Sequence, residues 1–323
     1  MRARLSIPKS ASLLLVPCAL HLAAAGGAPE EPTGTAQHLT AQLVVPPAQI
    51  YPGESFTGGV YFKLEPGWHV YWSNAGDSGE PPRVKWTLPQ GLSAGALEFP
   101  APRRLPLGHL VDYGYEGEVL FPVRFEVAPS FQPAGPVTLG AYVHWLVCRE
   151  ICIPGSTTLS VTRRPAASGA GSAEDAADTH LVQRFESALP QPLPPPGYAT
   201  FSAHSGAFRL AVATGRRERA AQFFPLDPNL IANAAPQRAE PRDDGIQLTL
   251  VQDENLTARP QLLRGVVEFP DGRAYAIRAT TATPAEQRAA AWKGTVLGVV
   301  LAVLGGIALK LVLDWRERRN RRV

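Results

Sequence analysis

Two cysteines stand four positions apart in Val147-Cys148-Arg149-Glu150-Ile151-Cys152-Ile153-Pro154, the segment where the potential chemistry of this chain concentrates. Thiols at this separation close into a disulfide if the chain turns between them. In the chain-entropy picture so short a loop adds only about 2 kcal/mol, less than the ~3 kcal/mol of a loop of ~15 residues. A bridge serving stability would do better joining distant strands, so the spacing suits an exchangeable bridge. Arg149, between the thiols, favours the thiolate, and Glu150 opposes it. The residues alone leave three chemistries open: thiol–disulfide exchange, an inert local staple, and metal binding. For the last, His144, Cys148 and Cys152 recur every four positions and would line one face of a helix. The segment 137–147 reads as a strand, however, and two thiols with one imidazole leave a tetrahedral site a ligand short. Cu(I), which accepts fewer soft ligands, is the metal compatible with that set.

The elements that must position the pair are strands. Segments 39–45, 56–64, 68–72, 84–88, 119–127, 137–147 and 157–161 are short, rich in β-branched and aromatic residues, and bounded by Pro, Gly, Asn and Asp. Seven such segments within 38–163 point to an immunoglobulin-like β-sandwich. His69 alternates with Trp68, Val70, Tyr71 and Trp72 and reads as a sandwich residue, as do Trp68, Trp72 and Trp86. Residues 164–196 have linker composition at first, then Leu181, Val182, Phe185 and Leu189 recur at helical spacing before Pro190, predicting a short helix. A second β-rich domain is expected over 197–282, with strands at 199–203, 207–212, 245–250, 263–269 and 275–279.

Composition agrees with a mainly β chain. Its 32 Pro and 29 Gly disfavour a mostly helical protein, and 323 residues hold about two domains at roughly 150 each. The balance of 31 Lys+Arg against 28 Asp+Glu gives no sign of a nucleic-acid partner. Three cysteines exclude a disulfide framework. Both ends read as membrane-directed. Residues 1–25 combine Arg2, Arg4 and Lys9 with an apolar stretch and a small-residue run, the layout of a signal peptide. Its removal would discard Cys18 and leave one cysteine pair in an oxidising compartment. Residues 294–313 are apolar except for Lys310 and long enough for one transmembrane helix, and the basic tail 314–323 would stay cytoplasmic. Neither a Gly-rich phosphate loop, a His-Glu-x-x-His motif nor a nucleophile elbow is present, and no cofactor is expected.

Five segments in order carry a family resemblance: Gly67 to Trp72, Asn74 to Gly79, Phe99 to Pro102, Tyr113 to Glu118, and Trp145 to Pro154. Together they resemble the N-terminal periplasmic region of the DsbD thiol:disulfide interchange family, most closely its suppressor of copper sensitivity protein B branch. The resemblance implies an immunoglobulin-like domain in which Cys148 and Cys152 are the redox pair, with Arg149, Glu150, Tyr113, Tyr115 and Glu116 in support. It implies partners of two kinds: a membrane electron-conducting thiol protein, and periplasmic thioredoxin-like or disulfide isomerase-like proteins. It also implies a cap loop over the cysteines, for which Asn74 to Gly79 is a candidate. Full-length relatives continue into several cysteine-bearing membrane helices; this sequence offers one cysteine-free helix, so it is expected to lack its own electron conductor. The expectation is a single-pass inner-membrane protein whose bulk lies in the periplasm and which exchanges dithiols. The alternative is a binding, scaffold or copper-handling module with a structural or Cu(I)-binding pair.

Overall fold

The computed structural model of the chain describes residues 31–166 and 175–281. The expected signal peptide (1–25), membrane helix (294–313) and basic tail (314–323) lie outside the described residues. Among the described residues no helix is long and apolar enough to cross a membrane.

Alternation at period two builds the first body. In Val137–Cys148 the odd-numbered residues Val137, Leu139, Ala141, Val143, Trp145 and Val147 are buried, while their neighbours face outward. Two sheets pack their apolar faces together as an immunoglobulin-like sandwich. One runs, in spatial order, Thr33–Ala36, Leu39–Val44, Ser55–Leu64, Glu118–Val127 and Leu92–Ala94. The other runs Gln49–Ile50, Cys152–Pro165, Val137–Cys148, His69–Gly76, Leu110–Glu116 and Arg103–Leu107, with Arg83–Thr87 also paired to Val137–Cys148. Phe62, Phe121 and Phe125 from the first sheet meet Val70, Trp72, Tyr113 and Trp145 from the second in one core.

All seven strand segments expected in this body coincide with strands, with Val45, Trp68 and Leu88 one residue beyond the observed ends. Leu110–Glu116 is an addition, and it matters for the site. Its Asp112 and Gly114 look like turn punctuation, yet Gly114 is there because a Cβ would overlap the Val70 carbonyl across the strand pair.

The helix Ala176–Glu186 starts at Asp175, whose carboxylate accepts the Ala177 and Asp178 amides. Its Val182 packs on Val44 and Leu120, on the outer side of the first sheet. A third sheet follows, ordered Gln222–Pro225, Leu262–Glu268, Ala274–Thr280, Tyr198–His204, Ala207–Ala213, Gly245–Val251 and Arg238–Arg242. Phe208, Leu210, Phe223, Leu248 and Ile277 fill its own core. Phe224 instead reaches into the sandwich, edge-on to Tyr113 at 5.2 Å and to Trp72 at 6.3 Å.

Candidate functional site

The cysteines close a hairpin. Val137–Cys148 and Cys152–Pro165 pair along their whole length, and Cys148 and Cys152 are the last partners before a three-residue turn. Within that turn the Arg149 amide donates to the Ile151 carbonyl at 3.2 Å. Register partners lie side by side, and here they are joined as a disulfide. The two residues differ sharply in access: Cys148 is 1% exposed, whereas Cys152 is an exposed residue.

The same register row continues on the other side of Cys148. His69 is its partner on the neighbouring strand, and Glu116 is the partner of His69 one strand further. Cys152, Cys148, His69 and Glu116 therefore form one lateral row on the outer face of the sheet, with Tyr71 two residues along on that same face. The Tyr71 hydroxyl lies 3.3 Å from Cys152 Sγ, and since a bridged sulfur carries no hydrogen, tyrosine is the donor. Burial pushes the Tyr71 phenol up to about 12, so it stays a proton donor across the whole neutral range.

Tyr71 and His69 pack edge to face, ring centroids 5.2 Å apart. Behind them lies Asp112, which is fully buried. Its carboxylate accepts from the Ser78 amide and the Ser78 hydroxyl, each at 2.9 Å. His69 Nε2 is buried without a hydrogen-bond partner, 3.6 Å from Asp112 Oδ2.

A register shift between Tyr71 and Gly76 lets the chain leave the sheet and double back. Gly79, at φ +78°, then lies so close to the Tyr71 ring that any Cβ would collide with it. Residues Asp77 to Gly79 thus cover the Tyr71–Asp112 side of the site. They are held from within the sandwich and from beyond it: the Asp77 carboxylate accepts from the Val111 amide (2.7 Å) and from Asn233 Nδ2 (2.9 Å). Asn233 in turn accepts the Tyr113 hydroxyl at 2.8 Å. On the hairpin side, the Arg149 guanidinium stands over the Trp68 ring, 5.4 Å from its centroid, and His38 stacks on that ring at 3.8 Å.

The residues singled out from sequence divide accordingly. Cys148, Cys152, Arg149, Glu150 and Glu116 gather at the hairpin end, with Arg149, Glu150 and Glu116 exposed. Tyr113 and Tyr115 do not: strand parity turns both into the core, where Tyr115 donates to the Pro100 carbonyl at 2.7 Å. Burial raises both phenols well above the usual tyrosine range. The copper set is not assembled either. His144 pairs with Ser156 and Arg83 in an extended strand, about 13 Å along it from Cys148 at ~3.3 Å per residue. Among the described residues, no group of three or more His, Cys, Asp or Glu side chains is placed to hold a metal ion. His69 is a buried residue of a sandwich strand, on the face opposite Trp68, Val70 and Trp72, which puts it beside the disulfide. Sequence reasoning missed Tyr71, Ser78 and Asp112; the alternation of His69 and Tyr71 against Trp68, Val70 and Trp72 was the available signal.

Residues 40–163 match the family model described as "Thiol:disulfide interchange protein DsbD, N-terminal". No curated protein matches the chain significantly. Among solved structures, the N-terminal periplasmic domain of ScsB from Proteus mirabilis superposes with a TM-score of 0.58 at 17% identity, covering 78% of this chain and 97% of that one. At that identity the likeness is one of fold, and it spans both β bodies. The YadV chaperone aligns with a TM-score of 0.20 at 8% identity, covering 75% of this chain and 99% of that one. The sandwich that carries Cys148 and Cys152 belongs to the DsbD N-terminal family.

Proposed function

We propose that this chain is a periplasm-facing thiol–disulfide exchange protein that works through Cys148 and Cys152. The observation that carries the reading is the asymmetry of the pair: an exposed Cys152 with a tyrosine hydroxyl on its sulfur, beside a buried Cys148. In the reduced pair, the Cys152 thiolate attacks one sulfur of a partner disulfide. That S–S bond breaks, a mixed disulfide forms, and the partner's other sulfur leaves as a thiolate. Cys148 then attacks Cys152 Sγ, releasing the partner's second thiolate and restoring the intramolecular bridge. Two electrons pass to the partner, which is reduced as the pair is oxidised. Tyr71 donates to Cys152 sulfur and so favours its thiolate, both as nucleophile and as leaving group.

Family membership of residues 40–163 supports this reading, and the remaining parts of the proposal come from sequence. A signal peptide exports the chain, one helix at 294–313 anchors it in the inner membrane, and the 164–196 linker joins the redox domain to a second β-rich domain over 197–282. Reductant arrives from a separate membrane-embedded thiol protein, and the recipients are thioredoxin-like or disulfide isomerase-like proteins of the periplasm.

Trapping in cells tests this assignment. Cys148→Ala leaves the exposed Cys152 without its resolving thiol, so mixed disulfides should accumulate on a non-reducing gel. Cys152→Ala leaves only the buried thiol and should capture far fewer. If neither variant captures a partner, or Cys152→Ala is the better trap, the assignment fails.

A further inference from the structure

We propose that His69, oriented by Asp112, is the proton acceptor for the buried Cys148 thiol. The inference deepens the exchange reading and rests on it. When Cys148 resolves the mixed disulfide, its proton must leave before or as the sulfur attacks, since the thiolate is the nucleophile. Solvent is poorly placed to take that proton, because Cys148 is 1% exposed. The site offers one basic neighbour in its place. His69 is the register partner of Cys148, which puts their Cβ atoms ~5 Å apart.

The surroundings suit an imidazole that gains charge. Its Nε2 lies 3.6 Å from Asp112 Oδ2, and that carboxylate is fixed by Ser78 in a fully buried position. A buried ring nitrogen with no hydrogen-bond partner, as His69 Nε2 is here, calls for a reason. With the Nε2 proton turned towards Asp112, Nδ1 carries no proton, and on the ring beside Cys148 it is the nitrogen free to take the one the thiol gives up. The other polar and charged groups around His69 are Tyr71, edge-on to the ring, and Glu116, its partner on the far strand; Arg149 follows Cys148 but is drawn off over Trp68. In the forward direction the proton moves from Cys148 Sγ to His69 as the Cys148–Cys152 bond forms and the partner thiolate leaves. In reverse, His69 returns it to Cys148 as the bridge opens.

The test follows the reduced mature chain, from which Cys18 is cleaved or in which it is replaced by Ala, with dithiobis(nitrobenzoate), whose leaving thiolate is coloured. Attack by Cys152 releases one equivalent, and resolution by Cys148 releases a second. His69→Asn is expected to slow the second phase at least tenfold near neutral pH with the first unchanged, as loss of a general base does. The deficit should shrink as pH rises above the ordinary thiol range of about 8.5. Asp112→Asn should slow the same phase by less. Equal second phases in the unaltered chain and a folded His69→Asn or His69→Gln variant would overturn the relay and leave the exchange reading standing. Should the His69 variants not fold, the unaltered chain decides: a second phase whose pH profile carries only a thiol ionisation overturns the relay, and a further ionisation that Asp112→Asn displaces supports it. Failure of the unaltered chain to release a second equivalent overturns both readings.

Discussion

Cys148 and Cys152 are chemically identical residues made unequal by the strand ends on which they sit. Cys148 closes Val137–Cys148 against His69, and Cys152 opens the next strand at the edge of the turn. Tyr71 sharpens that difference by placing its hydroxyl on Cys152 Sγ. A hydrogen bond to a charged group stabilises it, so Tyr71→Phe should disfavour the Cys152 thiolate and move its alkylation to higher pH. The pH dependence of alkylation of the reduced protein reads this directly; an unchanged profile would remove Tyr71 from the chemistry. The cysteines, Arg149, Glu150 and Glu116 were legible from the sequence because they cluster in it or share a matched motif. Asp112 was not, because its partners Ser78 and His69 are 34 and 43 positions away and only strand pairing unites them. Tyr113 and Tyr115 lie in a matched motif, but one-residue parity sends them to the opposite face from Glu116.

The cysteine hairpin is rigid because it is the longest strand pair of the sandwich, whereas the cover over Tyr71 is a short stretch leaving a register shift. That stretch falls within the 74–79 loop proposed from sequence as a cap, although Asn74 itself points away, donating to the Pro225 carbonyl at 2.8 Å. Gly79 is the position on which the cover depends. A methyl group there meets the Tyr71 ring and also strains a backbone at φ +78°. Gly79→Ala should therefore cost about 1–3 kcal/mol, seen as a lowered denaturation midpoint, and should speed reduction of the bridge by a small thiol. Unchanged reduction kinetics in a destabilised variant would mean that the segment does not shield the pair. The strands of both bodies were readable where apolar and polar residues alternate; Leu110–Glu116 was not, since Gly114 and Asp112 mimic a turn.

Across the whole molecule the second β body is tied to the redox face by Phe224, by the Asn74–Pro225 bond and, at the covering stretch, by the buried amide of Asn233. Asn233 is bonded to Asp77 of the covering stretch and to Tyr113 behind it, and Arg104 also donates to its carbonyl. This connection joins residues more than a hundred positions apart, which explains why the sequence revealed two β regions but not their junction. Buried phenols add a pH signature. Burial pushes Tyr61 and Tyr71 up to about 12 from the ordinary 10.0, and Tyr113 and Tyr115 rise as well. Unfolded tyrosines lose protons first, so this contribution is fully present below pH 10.0 and is lost as pH climbs through about 12. Urea midpoints should fall over that window, and a flat profile would contradict the burial of these groups.

The central claim is that Cys148 and Cys152 form an exchangeable bridge. Equilibrating the protein in graded thiol–disulfide buffers and counting free thiols by alkylation and mass measures it. The account expects full, reversible interconversion, with a potential in the range of catalytic dithiols, about −270 to −120 mV. A bridge that stays oxidised to below about −300 mV, as structural disulfides do, would contradict it.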